Sequence, residues 1–249
     1  MVTEELIINK YKKALPKGFE LVSIINTELK GLKRLNYSLK NDNAIYNINC
    51  CSLNSHPLGN ILPLIRMTVS FKLVEKLIHL KIDESDYTTS FTLLDSLFPL
   101  VYDKKFILDK PIIFKTEADI DKGIAYVKSY IKKFAEDYFA YWNDIRAFLP
   151  FLESENVRFL NDLLVGKGEN RKLIIWKLCN HPKYDLFLQE TIKSYEDYLK
   201  ENPKDKSEVK AYKEFKSLAK RLEKTKPLYD WDASYLTPKP FKGVMPIIP

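Results

Sequence analysis

Hydrophobic positions along the chain follow two periods. Between Thr3 and Leu15, residues Leu6, Ile7, Tyr11, Ala14 and Leu15 recur at helical spacing, and Pro16 with Gly18 closes the run, which predicts a helix. The period then falls to two. Phe19 to Asn26 is rich in β-branched residues, and Leu32 to Leu39 alternates through Leu35, Tyr37 and Leu39. Ile45 to Ser52 alternates through Tyr46, Ile48 and Cys50, and Ile65 to Leu73 through Met67, Val69, Phe71 and Leu73. Successive strand side chains point to opposite faces, so these runs predict a meander of about four antiparallel strands covered on one side. Asn41-Asp42-Asn43 supplies a reversal, because Asn and Asp bond their own main chain and tolerate left-handed backbone. Val74, Leu77 and Ile78 return to helical spacing.

The pattern is weak over 83–115, where Phe98-Pro99 and Lys110-Pro111 interrupt it and Pro111 to Phe114 reads as an edge strand. From Thr116 it is helical again. Thr116 stands as an N-cap before Glu117 and Asp119, and Ile120, Ile124, Val127, Ile131, Phe134 and Tyr138 carry one face to about Tyr141. After Pro150 only helices are predicted: Glu155–Leu164, Asn170–Cys179, Tyr184–Lys200 and Ser207–Lys224. Their breaks are Gly166-Lys167-Gly168, His181-Pro182 and Asn202-Pro203, and the last two helices read as an antiparallel hairpin. The fold class is therefore α+β, an N-terminal antiparallel sheet with flanking helices and an all-helical C-terminal half. The expected organisation is an α+β domain over 1–153, a helical segment over 154–226 and an extended Pro/aromatic tail over 227–249, packed on the body.

Helix, sheet and the Phe148-Leu149-Pro150-Phe151-Leu152 corner, together with Leu35-Asn36-Tyr37-Ser38 and Met67-Thr68-Val69-Ser70-Phe71, resemble the bacterial family catalogued as domain of unknown function 4304. The resemblance covers residues 1–153. It implies a fold and a bacterial source, and it carries over no activity and no catalytic residue.

Composition narrows the chemistry. Only 7 of 249 residues are glycine, and no G-x-S-x-G elbow or P-loop occurs. The cluster Gly166-Lys167-Gly168 lacks a preceding strand and reads as a helix-to-helix turn. Three cysteines, with Cys50 and Cys51 adjacent and Cys179 distant, make no disulfide framework and suit a reducing compartment. The acidic start at Glu4-Glu5 is unlike a secretory signal, and no apolar run reaches the ~18–20 residues of a membrane helix, so a cytoplasmic protein with no membrane partner is expected. His56, His79 and His181 do not combine with the cysteines at metal-ligand spacing, and no metal or cofactor is expected. Glu28-Leu29-Lys30 with Glu20 fits a metal-dependent nuclease core, but Glu208-Val209-Lys210 matches the same tripeptide, which lowers its specificity.

The net charge of +7 is local. Ten basic residues against five acids between Lys200 and Lys226 account for +5 of it. Lysines at 206, 210, 213, 216, 220 and 224 describe the wet face of a helix. Of the 40 basic residues only 6 are Arg, the preferred reader of phosphate and guanine, so nucleic acid is the disfavoured partner class. Trp231, Tyr235 and Phe241 are side chains of the type that anchors interfaces. The expected function is that of a bacterial cytoplasmic protein-interaction protein without catalysis, of the immunity or antitoxin kind, which blocks a toxin by binding it. Trp231, Tyr235, Phe241, Lys213, Lys216 and Lys220 are its candidate partner-binding residues, with no catalytic residue assigned. The alternative is a metal-dependent nuclease or other hydrolase with dispersed active-site residues.

Overall fold

A computed structural model describes residues 3–26, 33–51, 60–62, 66–79, 81–82, 92–94, 112–165 and 167–239. Helix α1 spans Glu4–Ala14 and opens on Thr3, whose hydroxyl accepts from the Leu6 N–H at 3.2 Å. Strands β1 (Glu20–Asn26), β2 (Lys33–Lys40), β3 (Ala44–Cys51), β4 (Asn60–Leu62) and β5 (Arg66–Phe71) follow. Next come α2 (Lys72–Ile78), β6 (Leu93–Leu94) and β7 (Ile112–Phe114). The predicted meander forms, with each of β1, β2, β3 and β5 pairing antiparallel to the next. The two-residue β6 joins β5 as a fifth strand, in the order β1-β2-β3-β5-β6, while β7 pairs with β4 in a separate two-stranded sheet. Asn41 turns β2 into β3 as its residue type predicts: its Oδ1 accepts from the N–H groups of Asn43 at 2.9 Å and Ala44 at 2.7 Å.

One face of the sheet carries Leu35, Tyr37, Tyr46, Ile48, Met67, Val69 and Phe71, all in the hydrophobic core. The other face was expected to meet solvent. Instead Asn36, Ser38, Asn47, Asn49, Thr68 and Ser70 are buried as deeply as their apolar neighbours. Burial of such groups is tolerated where they bond each other. The register sets Ser38 opposite Asn47 and Asn47 opposite Thr68. Ser38 accordingly donates to Asn47 Oδ1 at 2.5 Å, and Asn47 Nδ2 donates to Thr68 Oγ1 at 3.1 Å.

The long helix begins as predicted. Thr116 and Asp119 form a reciprocal capping box, and α3 (Glu117–Tyr130) runs through a π-helical turn, Ile131–Ala135, into α4 (Glu136–Tyr141). This helix and α1 close the apolar face: the Tyr37 hydroxyl donates to the Ile8 carbonyl, the Tyr138 hydroxyl to that of Met67, and Phe139 packs on Phe19 and Tyr46. A 3-10 turn (Ile145–Phe148) and α5 (Leu149–Leu152) lead into the helical half.

There α6 (Val157–Leu163), α7 (Gly168–Leu178), α8 (Tyr184–Glu201) and α9 (Lys206–Glu223) match the predicted helices to within a few residues. Gly168 makes the α6–α7 crossing possible: a Cβ there would stand 2.5 Å from the Leu160 carbonyl, and its N–H donates to Asn161 Oδ1 at 2.8 Å. Pairing of Tyr198 with Asp205 and of Glu196 with Tyr212 shows that α8 and α9 run antiparallel. One hydrophobic cluster extends from Ile7 in α1 to Leu222 in α9 and includes the fully buried Trp142.

Polar contacts also bind the two halves. Glu75 on α2 is inaccessible to solvent and accepts from Arg171 on α7, Nε to Oε1 at 3.0 Å and Nη2 to Oε2 at 2.7 Å. Thr92 donates to the same carboxylate at 2.7 Å. Burial pushes the Glu75 carboxyl up, but His79, the Arg171 guanidinium and Thr92 outweigh it and hold it at about 2. Arg221 on α9 donates to the Leu77 carbonyl at the end of α2 at 2.8 and 3.0 Å. No helix among the described residues is long and apolar enough to cross a membrane.

Candidate functional site

The basic helix α9 takes the orientation its spacing predicts. Tyr212, Phe215, Leu218, Ala219 and Leu222 are buried, and Lys213, Lys216 and Lys220 stand on the exposed side. The Lys216 ammonium lies 4.3 Å over the Tyr212 ring of its own helix. The three lysines share a wet face.

The C-terminal segment is tied to the body from Leu228 to Tyr235. The N–H groups of Leu228 and Tyr229 both donate to the Leu178 carbonyl, at 2.8 and 3.2 Å. Arg146, held by Asp144, lies over the rings of Tyr229 at 4.3 Å and Tyr235 at 5.3 Å. Trp231 meets His181 edge-on at 4.3 Å. Trp231 and Tyr235 are thus half-buried against their own chain. Phe241 lies outside the described residues, as do Glu28, Lys30 and His56. Glu20 is exposed at the start of the edge strand β1. Among the described residues, no group of three or more His, Cys, Asp or Glu side chains could hold a metal ion. Cys179 is buried, which pushes its thiol up to about 12 and away from nucleophilic use.

Two concavities among the described residues have a size suited to ligands. A cleft of about 880 Å³ has Phe71, Val74, Ile145 and Leu178 as its floor, with Leu73 and Leu228 exposed at its lip. Lys72 and Lys76 line it together with Asp42 and Asp144, so its charge has no net sign.

The second lies along α8 and does have a sign. A cavity of about 420 Å³ and a cavity of about 550 Å³ share Glu169, Phe187 and Glu190 as wall residues and so form one groove. Its apolar part comes from Leu160, Trp176, Leu186, Phe187, Tyr195 and Tyr198. Leu186 is 60 % exposed and Tyr198 44 %. Glu153, Glu155, Glu169, Glu190 and Glu208 surround them.

The floor is built from behind. His181 stacks on Trp176 with ring centroids 4.3 Å apart and an interplanar angle of 6°, and Trp231 closes the far side. His181 Nδ1 accepts from the Lys183 N–H, so in the neutral ring the proton sits on Nε2, 3.0 Å from Glu153 Oε1. The oxygen lies off the N–H direction, so the contact is electrostatic without a formed hydrogen bond. Burial lowers the His181 pKa, and Glu153 offsets this only in part. Glu153 also pairs with the Lys183 ammonium.

Lys172 is almost fully buried in the same wall. Its ammonium donates to the Ser154 carbonyl at 3.2 Å and lies over the rings of Trp176 at 4.5 Å and Phe187 at 4.8 Å. Burial lowers its pKa. The remaining carboxylates, those of Glu155, Glu169, Glu190 and Glu208, make no ion pair among the described residues.

Sequence reasoning placed Trp231 in a contact surface; in the structure it braces His181 and, through it, the groove floor. The groove residues themselves were not singled out. A signal existed: Phe187, Thr191, Tyr195 and Tyr198 form a second stripe at helical spacing on α8, beside the core stripe of Tyr184 and Leu188. Phe187 packs on Trp176 and Tyr195 on Tyr212 and Phe215, so part of this stripe is spent within the chain, while Tyr198 stays exposed. No family model, no curated protein and no solved structure matches this chain.

Proposed function

We propose that this chain is a bacterial cytoplasmic interaction protein that holds a protein partner without altering it, of the immunity or antitoxin kind. The supporting observation is the groove on α8, where Leu186 and Tyr198 stay exposed over a cavity pair floored by aromatic rings. Exposed apolar side chains gathered at a concavity, with aromatics in its floor, are the composition of a contact surface. The resemblance of residues 1–153 assigns no residue a role, so the reading rests on this surface.

The test uses the product of the neighbouring gene. Its expression alone should arrest growth of a bacterial host, and co-expression of this chain should restore growth, the two proteins eluting together. The partner, recovered by denaturation and refolding, should regain its toxicity at unchanged mass. Growth arrest that persists with soluble chain present, or a partner recovered in a covalently changed form, overturns the reading.

A further inference from the structure

We propose that the α8 groove receives a basic amphipathic segment of the partner protein, with an aliphatic or aromatic anchor against Leu160, Leu186 and Phe187 and Lys or Arg side chains on Glu155, Glu169, Glu190 and Glu208. This rests on the protein-binding function proposed above and gives the partner its chemistry.

Charge carries the argument. The chain as a whole is +7, yet this groove collects carboxylates. Its cations are already engaged: Lys183 is on Glu153, and Lys172 is under two rings and on the Ser154 carbonyl. Glu155, Glu169, Glu190 and Glu208 face the groove and make no ion pair among the described residues, Lys172 attracting Glu155 and Glu169 only from a distance. An acid-lined site repels nucleic acid and anionic lipid and attracts a cationic ligand. The exposed ring of Tyr198 adds a quadrupole suited to Arg or Lys, while that of Tyr195 is stacked on Tyr212.

Among the described helices α9 carries the largest net positive charge, and on a second copy it is the competing occupant. Its exposed positions are Lys206, Lys210, Lys213, Lys216, Lys220 and other polar residues, with no apolar side chain to fill the cavity. The groove needs both an anchor and cations, so a different protein is the occupant.

The probe is a synthetic helical peptide of Lys and Leu with one leucine stripe, beside a twin in which Glu replaces Lys. Both are titrated calorimetrically into the full chain at low and at physiological ionic strength. The Lys peptide should bind, more weakly as salt rises, and the Glu twin should not. The double variant E169Q/E190Q should weaken binding by about tenfold, the loss of two partly exposed ion pairs. The control E201Q/E223Q, which removes acids outside the groove, should leave it unchanged. Equal binding of both peptides, or E169Q/E190Q indistinguishable from the control, overturns the proposal. So does a concentration-dependent dimer in sedimentation that E169Q/E190Q abolishes, because a second copy is then the occupant. If E169Q/E190Q still restores growth beside the toxin and co-elutes with it at full strength, this site is refuted and the binding function stands. If no variant and no wild-type chain restores growth, the function itself fails.

Discussion

On one face of β2, β3 and β5 stand Leu35, Tyr37, Ile48, Met67 and Val69; on the other stand Asn36, Ser38, Asn47, Asn49 and Thr68. None of the ten is more than 3 % exposed. The apolar face meets α1 and the α3–α4 helix and gains from every atom it removes from water. The polar face gains only where donors meet acceptors. It does so along the Ser38–Asn47–Thr68 row and between Asn36 and Ser23, whereas the Oδ1 atoms of Asn36 and Asn49 accept no hydrogen bond. Equal burial thus conceals unequal tolerance. Removing part of a side chain is costly on the first face in proportion to its size, and on the second in proportion to the partners it leaves behind.

The strongest test takes polar burial to its limit, the Glu75–Arg171 pair. Arg171→Met leaves a buried carboxylate and should cost about 3–5 kcal/mol at neutral pH in urea unfolding. The wild-type pair also predicts a pH response. Glu75 has a folded-state pKa of about 2 against the ordinary 4.5 of a free carboxyl. A depressed carboxyl pKa gives stability that is complete above the unfolded value and is lost as pH falls through the folded one. About 3 kcal/mol should therefore disappear between about pH 4.5 and pH 2, and Arg171→Met should flatten that slope. His181, lowered from 6.5 by burial, adds a loss of the same sign that starts below that pH. A wild-type stability unchanged over both windows would refute the two assignments.

On the apolar face, Ile48→Ala should cost about 3 kcal/mol, the usual range for a fully buried aliphatic side chain. On the polar face, Asn47→Val should cost about 1–3 kcal/mol, because Ser38 and Thr68 both lose their partner. The triple change Ser38→Ala, Asn47→Val, Thr68→Val should recover most of that loss. Recovery would sharpen the contrast between the faces; a triple variant worse than Asn47→Val would erase it. At the lower end, Thr116→Ala removes a hydrogen-bonded cap in water and should cost about 1 kcal/mol by thermal denaturation.

The strands were legible because alternation over Leu35 to Leu39, Tyr46 to Cys50 and Met67 to Phe71 admits few other readings. Alternation does not say what lies beyond the polar side: Asn36 and Asn47 give the same pattern against water as against protein. Strand β6, two residues long, was too short to carry a period. The helices of the C-terminal half were legible from breaks at Gly166-Lys167-Gly168, His181-Pro182 and Asn202-Pro203, while the cap at Asp205 was not read from the sequence. Residue type alone singled out Trp231, which lies behind the groove on His181, while Trp176, Phe187 and Glu190 of its wall were missed. Their grouping depends on how α7 lies against α8, a relation that no single helix records.

The π-helical turn at Ile131–Ala135 bears on where this chain can change its length. Such a turn holds one residue more than the α-helix around it, and each helical residue rotates the following side chain by about 100°. Ile120, Val127 and Tyr130 before it and Ala135, Tyr138 and Tyr141 at and after it are buried, the extra residue being taken up in the turn between them. Deleting one residue within 131–135 would restore a regular helix with both ends still in phase. The same deletion near Ile124 would turn the next stretch of helix away from the sheet. A permissive site for a one-residue deletion is thus embedded within a helix, where loops are the customary place to look.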